Sequence, residues 1–255
     1  FADPLSLQKP EFDNYESIRG NNIGALMLHL GNLKKGETKR LVVLLGQEEN
    51  VEKALPLIKK YSELKTVDAA FKKLADFWSE YLSILQVETP DASMNSMLNV
   101  HNPRQCYVTK NWSRDLSYNQ LGFGGRGIGY RDSSQDVLGV MQNMPEEAKE
   151  FMLKIISVQK RDGSAMHQFY PSTMEANEGD SREEKGHRWY SDDHLWPILS
   201  INSYIKETGN FKVLDEIIPY YDKDENKQPI EKASVLDHMQ RAIEFTHDHV
   251  GKHGI

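Results

Sequence analysis

The stretch Gly122–Asp136, GFGGRGIGYRDSSQD, decides how the rest of the chain is read. Its first six residues fit the dinucleotide fingerprint G-x-G-x-x-G letter for letter. Such a loop must leave a buried apolar strand and open a helix. An acidic residue must also end a second strand about 20 positions further on. Here the polar and aromatic run TKNWSRDLSYNQL (109–121) leads in, and the helix start MPEEAKEF (144–151) occupies the place of the second strand. The context fails, so the match reads as accidental and a doubly wound nucleotide fold is not indicated.

The same stretch offers a different chemistry. Glycines let a backbone bend closely round a ligand. Arg126, Arg131 and Asp132 set donors beside acceptors, the pairing that sugar hydroxyls require. Asp136 follows Asp132 by four and shares its helix face if a helix starts near Ser133 or Ser134. These residues also describe an ordinary ion-paired helix N-terminus with Asp132 as its cap. Side-chain chemistry alone leaves both readings open.

Outward from this point the chain is mainly helical. Apolar residues three and four apart predict helices over NVEKALPLIKKYSEL (50–64) and TVDAAFKKLADFWSEYLSIL (66–85), the second capped by Thr66. PEEAKEFMLKIISVQK (145–160) has Pro145 at the first helical position and Glu146 and Glu147 at the positive helix end. SDDHLWPILSINSYIKETG (191–209) and SVLDHMQRAIEFTHDHV (234–250) complete the helical segments. Asn22–Gly46 reads instead as two short strands joined through LKKGET (33–38). Two strands do not stand alone, so they belong to a larger sheet.

Long polar loops connect the helices, and such loops are commonly functional. In HQFYP (167–171), His167 and Gln168 are binding candidates. In RWYSDDHLWP (188–197), Ser191 reads as a helix cap, with Asp192 and Asp193 in the first turn. Alternatively, Trp189, Tyr190, His194 and Trp196 crowd two carboxylates in a way that suits a pyranose. Adjacent aspartates point apart on a helix, so they are not the facing acid–base pair of a glycosidase. His247, His249 and His253 read as a solvated helix end rather than a metal set. DKDENKQP (222–229) lacks the glycine and distal glutamate of a calcium loop. Nucleophile elbow and Walker loop are both missing, and the single cysteine, Cys106, has no identifiable base.

Composition narrows the partners. The 38 acidic residues outnumber 31 basic ones, for a formal charge of -7, which argues against a broad nucleic-acid or anionic-membrane surface. No apolar run approaches the roughly 18 residues of a membrane span. One cysteine precludes an internal disulfide and fits a reducing, cytoplasmic location. The start at Phe1 without a secretory pattern and the stop at VGKHGI suggest an internal fragment.

The ordered set RGIGYRDSSQD, DGSAMHQFYP and SDDHLW resembles the inverting disaccharide phosphorylases of glycoside hydrolase family 94. NPRQCYVTKNWSRDLSY (102–118) also looks like the first barrel helix of that family and its following loop. The resemblance implies a mainly α fold. It consists of the last strands of a β-sandwich over residues 1–50, a helical linker over 51–90 and part of an (α/α)6 barrel over 91–255. It further implies reversible phosphorolysis of a β-linked disaccharide or oligosaccharide, with inorganic phosphate as co-substrate and no cofactor or metal. Arg126, Arg131 and Asp132 would hold the donor sugar, which settles their role in favour of sugar binding. The general acid and the phosphate-binding residues would lie beyond Ile255, leaving these 255 residues inactive alone. The full-length protein would be a homodimer. Two alternatives carry the same residues: a phosphorylase-like domain of a larger glucan synthase, and a non-catalytic carbohydrate-binding remnant.

Overall fold

A computed structural model describes residues 8–12, 25–46, 48–111, 127–171, 173–177 and 190–254. The chain divides after Leu74 into two units. In the first, residues 25–46 run extended around a turn at Lys35–Gly36. Glu37 N–H donates to the Lys34 carbonyl at 2.9 Å, and Gly36 takes φ 81, where a side chain would be strained. The expected hairpin turn is therefore present. Among the described residues, however, the flanking segments make no ladder, and Leu26 and Leu45 are exposed. Two short segments without a larger sheet lack the burial to stabilise pairing.

Helix α1, Val51–Tyr61, is capped by Asn50, whose side chain accepts from Lys53 N–H at 3.0 Å. Helix α2, Leu64–Ser83, starts earlier than the pattern predicts. Thr66 is therefore not its cap; it lies in the first turn and donates its N–H to the Glu63 carbonyl.

In the second unit Phe77, Trp78 and Tyr81 at the end of α2 cluster with Tyr107, ring centroids lying 5.1–5.8 Å apart. Tyr107 belongs to a long helical run: α3 (Ala92–Ser96), a π-helical stretch (Met97–His101) and α4 (Asn102–Val108). Pro103 cannot donate and crowds the turn before it, which accounts for the widened turns. Asn95 and Asn99, one turn apart, replace a strand partner for the incoming chain: Asn99 both accepts from Val87 N–H and donates to its carbonyl at 2.8 Å.

The main core is built by α5 (Tyr130–Leu138), α6 (Pro145–Ile156), α7 (Trp196–Thr208) and α8 (Val235–Asp248). α5 packs on α6 and α7, and α6 also on α8. Val137, Met152, Ile201, Tyr204 and Val235 meet in one buried cluster. As predicted, Pro145 opens α6. Ser234 caps α8 by accepting from Asp237 N–H at 3.1 Å. Gly209 closes α7 in the left-handed conformation at φ 69.

Two small antiparallel sheets are invisible to periodicity because their strands are two or three residues long. β1 (Ile128–Gly129), β2 (Gln168–Phe169) and β3 (Ala176–Asn177) form one, and β4 (Ile217–Pro219) with β5 (Lys232–Ser234) the other. Among the described residues no helix is long and apolar enough to cross a membrane.

His194 is 3% exposed, and burial pushes its imidazole below the ordinary value of 6.5, with nearby Asp193 and Asp192 opposing. A depressed folded value means the unfolded chain takes up the proton first on acidification. Stability is therefore full above 6.5 and falls as pH drops below it. Melting temperatures recorded from about pH 7.5 down to about pH 5.5 should decline, and His194→Gln should flatten that decline.

Candidate functional site

The opening glycine stretch finds its structural use at Gly127. This residue takes φ 76, and a Cβ there would lie 2.7 Å from the Phe169 carbonyl oxygen. It lets β1 approach β2, which is antiparallel; Gly122–Arg126 of the fingerprint lie outside the described residues. Register pairs Ile128 with Phe169 and Gly129 with Gln168, while Tyr130 N–H donates to the His167 carbonyl at 2.8 Å. That ladder sets the first turn of α5, bearing Arg131 and Asp132, beside His167 and Gln168.

α5 starts at Tyr130, three residues before the expected Ser133, with Gly129 as its N-cap residue. Asp132 is thus in the first turn and is not the cap. A Cβ on residue 129 would overlap its carboxylate, which would have to swing aside. Arg131 donates through Nη1 to both oxygens of Asp192, at 3.0 and 3.3 Å. Asp192 in turn accepts from the Trp196 indole N–H at 3.1 Å. Burial alone would raise the Asp192 carboxyl, but the Trp196 and Arg131 donors outweigh it and hold the group below its ordinary value. The same contact raises the Arg131 guanidinium. Arg131 and Asp192 remain 41% and 40% exposed, and Nε and Nη2 of Arg131 take no partner among the described residues. A guanidinium anchored through Nη1 keeps its Nε/Nη2 edge for a ligand.

The adjacent carboxylate goes elsewhere. Asp193 opens a 3-10 turn, Asp193–Leu195, ahead of α7, so the expected Ser191 cap does not form. Asp193 is 2% exposed, and its Oδ2 lies 2.7 Å from Nδ1 of His167. Tyr190 stacks on the His167 ring at 3.5 Å with an interplanar angle of 9°. The Tyr130 side chain is buried here too, and burial together with the Asp193 charge raises its hydroxyl far above the ordinary value.

Of the sequence candidates, Arg131, Asp132, His167, Gln168, Tyr190 and Trp196 fall in this region. Arg126 and Trp189 lie outside the described residues. His194 leaves the group: its Nε2 meets Thr246 Oγ1 at 2.6 Å and its ring edge meets Phe245. The clamp roles of Asp192 and Asp193 were not legible, since their partners are 61 and 26 residues away. Among the described residues no three His, Cys, Asp or Glu are grouped to hold a metal. His247 is exposed and His249 stacks on Phe245, so the histidine tail is a helix end. Cys106 is raised chiefly by burial, against thiolate reactivity. A separate open hollow of about 470 Å³ is lined by Lys39–Val43 with Leu64, Val67 and Phe71; it contains none of the candidate residues.

Comparison with known proteins adds two family matches. Residues 77–255 match the catalytic domain of the glycosyl hydrolase 94 superfamily, and residues 1–64 match the glycosyl hydrolase 94 supersandwich domain. An N,N'-diacetylchitobiose phosphorylase of Vibrio furnissii is 32% identical over 271 residues, covering 100% of this chain and 32% of the relative. Its counterpart in Vibrio proteolyticus is 31% identical with the same coverage. A solabiose phosphorylase of Paenibacillus borealis is 25% identical over 89% of this chain and 26% of its own length. The chain thus spans 32% or less of the length of these curated relatives.

Proposed function

This chain belongs to the glycosyl hydrolase 94 superfamily, with part of an (α/α)6 barrel behind a supersandwich segment, and we propose that the protein carrying it is an inverting carbohydrate phosphorylase. The observation that carries the proposal is the Arg131–Asp192–Trp196 clamp. It holds a guanidinium whose Nε and Nη2 take no partner among the described residues, in the first turn of α5 that the β1–β2 ladder sets beside Gln168. Arg131, Asp132 and Gln168, joined by Arg126, bind the donor ring of a β-linked disaccharide or oligosaccharide.

Phosphate oxygen attacks the anomeric carbon from the face opposite the leaving group. The glycosidic C–O bond breaks, an α-sugar 1-phosphate forms, and an acid protonates the departing oxygen. Phosphate is already an anionic nucleophile, so no base is needed to activate it, unlike the water of an inverting hydrolase. The acid and the phosphate ligands are assigned to parts of the protein outside these 255 residues, and the chain by itself is inactive. The protein is cytoplasmic and a homodimer, uses no cofactor besides inorganic phosphate, and engages neither nucleic acid nor membrane.

Two relatives are diacetylchitobiose phosphorylases, so that sugar is the first substrate to try. The full-length gene product, incubated with N,N'-diacetylchitobiose or cellobiose and phosphate, should yield an α-sugar 1-phosphate detectable by 31P NMR. Sugar release at the same rate without phosphate would establish hydrolysis instead.

A further inference from the structure

Asp193 is a carboxylate with almost no solvent and an incomplete set of partners. Oδ2 meets Nδ1 of His167, whereas Oδ1 is buried with no hydrogen-bond partner among the described residues. An orphaned buried carboxylate oxygen costs on the order of 1–3 kcal/mol, and an apolar side chain would fill the space without that cost. A buried carboxyl oxygen left without a partner calls for a reason that packing does not supply. The cost yields a defined imidazole. A carboxylate only accepts, so an ionised Asp193 requires a proton on Nδ1 of His167. Tyr190 covers one face of the ring at 3.5 Å, and the β1–β2 register places its backbone against the first turn of α5. The His167 side chain reaches solvent at 18% exposure, whereas Asp193 does not. Its Nε2 has no partner among the described residues.

We propose that His167 is a sugar contact of the site formed by Arg131, Asp132 and Gln168, and that Asp193 is its positioning residue. Asp193 holds the ring proton on Nδ1 so that Nε2 accepts a hydrogen bond from a ring hydroxyl of the donor sugar. The proposal rests on the sugar-site reading above and extends it: Arg131 supplies donors, and His167 supplies an acceptor that selects for a hydroxyl at the matching ring position. A deoxy sugar lacking that hydroxyl loses the contact.

The test uses the full-length gene product with two readouts. Ring nitrogens of 15N-labelled histidine report the His167 tautomer, and calorimetry reports affinity for N-acetylglucosamine and for glucose, titrated separately. The expected result is an Nδ1–H tautomer in the wild type. Asp193→Asn, whose amide can donate to Nδ1, should shift the proton to Nε2 and weaken sugar binding about tenfold, the loss of one hydrogen bond of this kind. His167→Gln, at a more exposed position, should weaken binding similarly with an unchanged melting temperature, which keeps the test open should Asp193→Asn fail to fold. An Nε2–H tautomer in the wild type would overturn the proposal. So would undiminished affinity in His167→Gln, and in that case the sugar site itself stands. If neither sugar binds the wild type, the sugar-site reading falls and the proposal with it.

Discussion

Arg131→Ala in the full-length gene product is expected to lower kcat/KM for phosphorolysis by about 100-fold or more, equivalent to two charge-assisted hydrogen bonds lost from the bound donor ring. The side chain is 41% exposed and its ion pair with Asp192 is solvent-screened, so the fold should barely notice. Melting temperature and activity therefore separate, which distinguishes a ligand-binding role from a packing role. Arg131→Lys should recover little. An ammonium group can satisfy Asp192, but it cannot also present the planar fork of N–H groups that a sugar's neighbouring hydroxyls would meet. Arg40→Ala breaks the exposed pair with Asp68 and serves as the control; it should leave turnover unchanged. Steady-state rates measured across a substrate series give the comparison, and an Arg131→Ala enzyme with wild-type kcat/KM would remove Arg131 from the site.

The second large effect is on stability. Gly163→Ala is expected to destabilise the folded chain by about 3 kcal/mol or more, read as a shift of the urea midpoint at constant slope. Gly163 takes φ 90, and a Cβ there would overlap the Arg241 carbonyl oxygen in α8 and lie 3.0 Å from the Phe245 Cβ. Neither neighbour yields easily. The carbonyl belongs to helix backbone, and Arg241 is tied through Nη1 to the Arg161 carbonyl at 3.1 Å and through its guanidinium to Glu231 and Asp237. The loop itself is closed by Lys160 N–H on the Ser164 carbonyl at 2.8 Å and by Gln159 Nε2 on the Gly163 carbonyl at 3.1 Å. Gly209→Ala is the matched comparison. Its φ of 69 is also left-handed, but no atom lies within 4 Å of the added carbon, so about 1 kcal/mol is expected. The small gain from a stiffer unfolded chain, about 0.4–1 kcal/mol, offsets neither clash nor strain at Gly163. Because residues 159–165 lead directly into β2, a displaced Gly163 also displaces His167 and Gln168, and sugar affinity should fall with stability.

How much of this could be seen in the string of residues depends on the range of the forces involved. Helices α1, α2, α6 and α8 follow from local periodicity, because a helix satisfies its backbone within a few residues of itself, whereas the caps read at Thr66, Asp132 and Ser191 do not form. Failure of the phosphate-loop reading at Gly122–Gly127 was local too: neither a strand before it nor one after it could be found. The ordered blocks around Arg131, Gln168 and Asp192 pointed to the family that the comparisons support.

The tertiary structure alone decided which neighbour of each polar pair does what. Asp192 and Asp193 are indistinguishable by composition or spacing. A 3-10 turn at the head of α7 aims one at Arg131 and Trp196 and the other at His167. His194, equally plausible beforehand, turns away into α8. The two-residue strands β1 and β2 carry no period to read, yet their register brings residues 128–132 to residues 167–169. The physical reason is the same in every case. Pairing between segments tens of residues apart is fixed by packing and backbone ladders that only the folded chain contains, whereas helix propensity and capping are settled within one or two turns.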